Sequence, residues 1–179
     1  MKSILIQNAT LIDGSGREPQ TGMDVLVSDG RISALGNRGS LSVNRQETEF
    51  YALDGMTLLP GLIDCHVHIF VDGGAEGRIK TDEPLGLALL RAAYHMRCTL
   101  EAGITTVRDV GGQAHMEFAL RQAIAEGYCS GPRLVLAGKL LSMTSAGAEA
   151  FLGMYREADG ADEVRKAARE QLKAGADAK

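Results

Sequence analysis

The sequence contains no apolar run approaching the ~20 residues needed to cross a bilayer, so it offers no candidate for a membrane-spanning helix. Its start, Met1 to Asn8, has one positive charge followed by only three apolar residues, Ile4-Leu5-Ile6. That stretch is too short for a signal peptide. Cysteine is scarce: Cys65, Cys98 and Cys129 are odd in number, widely spaced and form no CxxC pair. This speaks against a disulfide framework and against a cysteine zinc site, and a reducing cytoplasm is the expected compartment. Clusters of Lys and Arg are also missing, because acids and bases are mixed along the chain and the net charge is −4. Neither nucleic acid nor a membrane surface is an expected partner, since both require basic residues gathered on one face. No GxGxxG turn follows the first β-prone run, so a dinucleotide fold lacks support.

What is present is the balance of a globular protein, with 45% apolar and 23% charged residues in a chain of 179. Two textures meet near residue 58. Before it, short β-prone runs (Ile4 to Ile6, Ala9 to Ile12, Asp24 to Val27, Ile32 to Leu35) are separated by Asp13-Gly14, Asp29-Gly30 and Gly36-Asn37. Asp-Gly between apolar runs favours tight hairpins, since glycine takes positive φ without steric cost. Polar residues 38–50 read as a loop. Residues 1–57 are thus expected to form the N-terminal part of a β-sandwich, with little core of its own.

Beyond residue 58 the pattern alternates between strand and helix. Strands are expected at 57–68, 104–110 and 134–141, and helices at 84–102, 113–126 and 162–174. The first helix carries Leu85, Ala88, Leu89, Ala92 and Met96 at helical spacing. In the last, Val164, Ala168 and Leu172 are the expected inward face. Repeated strand–helix units point to a parallel sheet. A closed barrel needs roughly 250 residues, and residues 58–179 supply 122. The expected fold class is therefore α/β: a partial (β/α)8 TIM barrel, its remaining strands missing, preceded by a small β-sandwich segment.

The sharpest chemical signal is Asp64-Cys65-His66-Val67-His68, at the end of an apolar strand. Residues two apart in a strand share a face, so His66 and His68 project side by side, and neutral imidazoles suit Zn²⁺ and similar ions. Asp64 shares their parity, as a carboxylate that could orient a ligand. Cys65 falls on the other parity, a small apolar residue facing the helices. Two histidines on a strand can equally be ordinary polar side chains on an exposed face. Here Leu58 to Ile63 is apolar on both parities, as in a buried parallel strand, and buried imidazoles need partners. That favours metal.

Leu59-Pro60-Gly61-Leu62-Ile63-Asp64-Cys65-His66-Val67-His68 resembles the first-strand signature of the amidohydrolase superfamily. Asn8 to Gly14 and Val27 to Ile32 are similar to the β-sandwich that precedes that family's barrel. Gly103 to Gly112 and Gly131-Pro132-Arg133 resemble the branch holding imidazolonepropionase-like proteins and Xaa-Pro dipeptidases. The resemblance implies a centre of one or two divalent ions, usually zinc, with His66 and His68 as its first two ligands. It further implies a bridging lysine, two more histidines and a proton-handling aspartate on later strands. The implied reaction is hydrolysis of a C–N bond in a cyclic amide, an amide or a dipeptide by metal-activated water. Lacking the later residues, this stretch carries no catalytic residue of its own and is expected to be inactive alone.

Two departures from the family pattern stand out. Lys179 follows Asp177 by one intervening residue where the family's lysine follows by two, and one residue of offset reverses a strand side chain. The bridging role is therefore not carried onto Lys179. Met143 to Ala148 lacks the histidine of a Gly-Gly-His-type loop. Arg108, Asp109 and Lys139 lie where substrate groups could meet them, but ion-pair or turn roles fit them as well. His95 and His115 read as structural or solvated. Arg165, Lys166, Arg169 and Lys173 form a solvated helix side. An alternative reading is a non-catalytic amidohydrolase-like assembly protein; retention of both histidines stands against it. Association with a second chain, including another copy, is left open.

Overall fold

Strand β1 (Ser3–Leu11) pairs antiparallel with β2 (Gln20–Ser28), and β2 with β3 (Arg31–Asn37). The computed structural model describes residues 2–73, 83–145 and 153–177. The β2–β3 turn is Asp29-Gly30, with φ of 51° and 72°. Both central residues lie in the left-handed region, the geometry whose twist matches a hairpin. Strands β4 (Thr48–Ala52) and β5 (Thr57–Leu58) both run parallel to β1, completing one mixed sheet.

The two runs expected within β1 are one strand interrupted at Asn8, where φ is 56° and the register shifts. The Asn8 amide donates to the buried Asp24 carboxylate at 2.9 Å. Leu11, Met23 and Val25 form the core, with Ile6, Val27 and Leu58 half-buried against it. Ile32 and Leu35 of β3 are exposed. So thin a core is what a segment of this size supplies.

The chain divides into two compact units, Met1–Pro60 and Gly61–Lys179. In the second, β6 (Leu62–Val67), β7 (Ile104–Asp109) and β8 (Arg133–Leu136) form a parallel sheet in that order. The connections run through α1 (Leu85–Glu101) and α2 (Met116–Ala125). Ala88, Ala92 and Met96 of α1 and Leu120 of α2 pack on Val107, Leu134 and Leu136, together with Ile69 and Phe70. Strands β9 (Leu140–Ser142) and β10 (Tyr155–Glu157) pair parallel, and α3 (Ala161–Ala174) follows. The unclosed parallel sheet with its intervening helices is the partial (β/α)8 architecture that the alternating sequence pattern implied, and a separate β segment precedes it in the chain.

Several boundaries differ from expectation. The apolar stretch 57–68 is two strands: β5 pairs with β1, whereas β6 begins only at Leu62 and pairs with β7. The run expected over 134–141 breaks at Gly138, φ 76°, and its two parts pair with different neighbours. Helix α2 starts at Met116 rather than residue 113, because Ala114 and His115 have φ of 53° and 61°. The inward face of α3 carries Ala167 and Gln171, while Val164 and Leu172 are exposed. Residues 146–148 of the loop beginning at Met143, and Lys179, lie outside the described residues.

Candidate active site

The end of β6 is irregular. Asp64 pairs with Val107 and Val67 with Asp109, so Cys65 and His66 together oppose Arg108 alone. Such a bulge re-aims side chains at the end of a strand. The Arg108 Nε donates to the Cys65 carbonyl at 2.7 Å within this irregularity. The Asp64 carboxylate accepts the His66 amide at 3.0 Å, so it orients the first histidine through its backbone.

Beyond the bulge, Val67 packs onto the core beneath the sheet, and the two flanking histidines project from the opposite face. Their ring centroids lie 5.5 Å apart with planes at 78°. His66 is exposed and His68 half-buried. The His68 Nδ1 is buried against Gly111 and makes no hydrogen bond of normal geometry among the described residues. Burial lowers the pKa of His68 against the raising pull of the Gly111 backbone, and the neighbouring His66 adds a smaller lowering. The net lowering favours the neutral imidazole that a metal ligand requires.

The start of the strand is not buried on both faces. Leu62 and Ile63 are 57% and 65% exposed, and Cys65, expected against the helices, is exposed as well. The reason is the cover: α1 and α2 lie over β7 and β8, leaving the outer part of β6 open.

Two buried carboxyl groups stand where β7 ends. Asp109 and Glu117 are fully buried. Among the described residues, Asp109 Oδ2, both Glu117 carboxyl oxygens and the Gln113 Oε1 find no hydrogen-bond partner. Burial pushes Asp109 up to about 7, and the nearby Glu117 charge adds to it. Burial likewise pushes Glu117 up to about 7, against the lowering pull of Lys139 and Arg121. Asp109 follows Arg108 in β7 and turns to the core side. Sequence reasoning passed over Glu117. Its signal was an acid three residues before the inward Leu120, on a helix face otherwise read as apolar.

Lys139 is half-buried, and its amide donates to Gln171 Oε1 at 2.9 Å. The same oxygen lies 2.8 Å from His115 Nε2, so His115 is a tether between α2 and α3 rather than a solvated side chain. His95 is half-buried beside the Tyr94 ring, centroids 6.0 Å apart.

A divalent ion fits this donor set in part. Two imidazoles on one wall, one of them favoured in its neutral form, match nitrogen ligation. Among the described residues, however, no group of three or more His, Cys, Asp or Glu side chains is placed to hold an ion. Two ligands of a centre are therefore on hand, not a complete set.

Comparison with known proteins extends this picture. Residues 57–179 match the model of the Amidohydrolase family. The chain is 28% identical to "Ochratoxinase" from Aspergillus niger over 203 aligned residues, which cover 98% of this chain and 41% of that protein. It superposes on a crystal structure of a Xaa-Pro dipeptidase with methionine bound in the active site, with a TM-score of 0.82 and 28% identity. That match covers 98% of this chain and 45% of the other. A prolidase complexed with N-methylphosphonate-L-proline gives a TM-score of 0.80 and 26% identity, over 97% and 45% of the two chains. The chain thus spans less than half the length of these relatives.

Proposed function

The chain belongs to the amidohydrolase family, and from that premise we propose that residues 58–179 are the first half of a metal-dependent hydrolase barrel acting on a carbon–nitrogen bond. The observation that carries this reading is the His66–His68 pair at the C-terminal end of a parallel strand, where barrel enzymes place their chemistry. His66 and His68 would hold one edge of a centre of one or two divalent ions, zinc being the expected metal. When bound, such an ion supplies Lewis acidity, which polarises a carbonyl and acidifies water. The chain's own contributions are to keep His68 neutral by burial, to fix the His66 backbone through Asp64, and to present both rings on one face.

The likeness to a prolidase and a Xaa-Pro dipeptidase supports a dipeptide or related amide as substrate. Residues 1–179 alone would be inactive, because two histidines do not complete a centre. A non-catalytic assembly role is disfavoured by the same pair, which such a role has no need to keep.

Metal content by mass spectrometry, on residues 1–179 and on a version of family length, tests the proposal. The longer protein should retain one or two equivalents of zinc, and His66→Ala should remove most of it. Unchanged metal content in His66→Ala, or none in the parent, would overturn the reading.

A further inference from the structure

His68 opens a four-residue turn, its carbonyl accepting the Val71 amide at 3.0 Å. The two central residues, Ile69 and Phe70, are buried in the core. The Phe70 carbonyl is taken by Arg91 of α1, whose Nη1 and Nη2 donate to it at 3.2 and 3.3 Å. The same guanidinium donates to the Glu83 carboxylate, from Nε at 3.2 Å and from Nη2 at 2.7 Å. Both side chains are shielded from water, Arg91 being 13% and Glu83 9% exposed.

An ion pair at this depth adds little stability over apolar packing of the same volume, because both charges lose their hydration. What it supplies is direction: a planar guanidinium fixed by a carboxylate holds a carbonyl in one place. That carbonyl lies two residues beyond His68. On the other side of His68, the Val67 carbonyl accepts the Val110 amide at 3.1 Å. The backbone of His68 is thus pinned from β7 before it and from α1 after it. With its Nδ1 sealed against Gly111, the ring can offer an ion only Nε2, and the aim of that atom follows the backbone. We propose that Arg91, held by Glu83, is a positioning residue that aims the His68 imidazole at the metal. This rests on the metal-centre reading given above and adds how one of its ligands is held.

The family-length protein carries the test, with zinc affinity read by chelator competition and ligand geometry by the visible spectrum of the cobalt(II)-substituted form. Arg91→Leu should weaken zinc binding about tenfold or more, the loss usual when a residue that orients a ligand is removed. It should also shift the cobalt bands. Arg91→Lys keeps the charge without the planar fork and should fall between. Glu83→Gln leaves the guanidinium less firmly fixed and should move both readouts the same way by less. Met96→Ala is the control: it opens the same core further along α1 and lowers stability. It leaves the Arg91–Phe70 bond in place, so zinc affinity and cobalt spectrum should stay as in wild type.

Unchanged zinc affinity in Arg91→Leu, or an equal fall in Met96→Ala at a matched loss of stability, would overturn the positioning role while leaving the metal centre intact. If Arg91→Leu fails to fold, Arg91→Lys and Glu83→Gln decide, and wild-type readouts in both count against the role. A wild-type protein that binds no zinc would instead sink the hydrolase reading, and the positioning role with it.

Discussion

The carboxyl group of Glu117 lies directly against Gly112: a Cβ at residue 112 would overlap its Cδ and both oxygens. Glycine is needed here for close approach, since any side chain would occupy the space of the acid. The contact brings the start of α2 onto the segment that leaves β7. It also seals from water an acid that finds no donor among the described residues.

Gly112→Ala should therefore destabilise this unit. Glu117 must move, and its neighbours are packed. A loss on the order of 2–3 kcal/mol is expected from such overpacking. Denaturant unfolding of the two proteins measures it, and equal midpoints would contradict the close contact.

Glu117 also sets a pH dependence. Its folded-state pKa of about 7 stands above the ordinary 4.5, so the folded chain holds this proton more tightly than the unfolded chain. Stability should fall as pH rises from the ordinary value to the folded one, then level off. In Glu117→Gln that part of the slope disappears, with a difference on the order of 3 kcal/mol between the two ends of the window. The buried amide carries its own desolvation cost, which does not vary with pH, so the slope is the readout. Melting temperatures across this range should diverge between wild type and variant. Parallel curves would mean that Glu117 ionises normally.

Ala114 offers the opposite kind of change. With φ of 53° it occupies the left-handed region, followed by His115 at 61°. A left-handed residue with a Cβ costs roughly 1–2 kcal/mol. Ala114→Gly removes that strain at the price of some added unfolded-state freedom. Because Ala114 is exposed, no packing is lost. A net gain of about 0.5–1 kcal/mol is expected, seen as a higher melting temperature. A lower one would mean that the strain is not there.

Much of this architecture could be read before any coordinates. The helices at 85–101 and 161–174 begin and end within a residue or so of expectation, because their spacing and terminal glycines act locally. The Asp29-Gly30 turn folded as its chemistry implied. The misreadings arose where partners decide. Apolar content at Leu62 and Ile63 suggested burial, but burial needs a covering layer, and the unclosed sheet of the Gly61–Lys179 unit does not supply one. Gln171 is polar, yet it belongs to the buried face of α3 because Lys139 and His115 both use its side-chain oxygen.

From the amino-acid order alone came the strand–helix alternation and the common face of His66 and His68. Both depend only on backbone geometry over a few residues, which chain neighbours dictate. Tertiary structure alone decided that Cys65 and His66 share one opposing residue, Arg108, and that Glu117 is sealed beneath Gly112. Those facts depend on how strands far apart in the chain register and pack, and short-range pattern carries no record of that pairing.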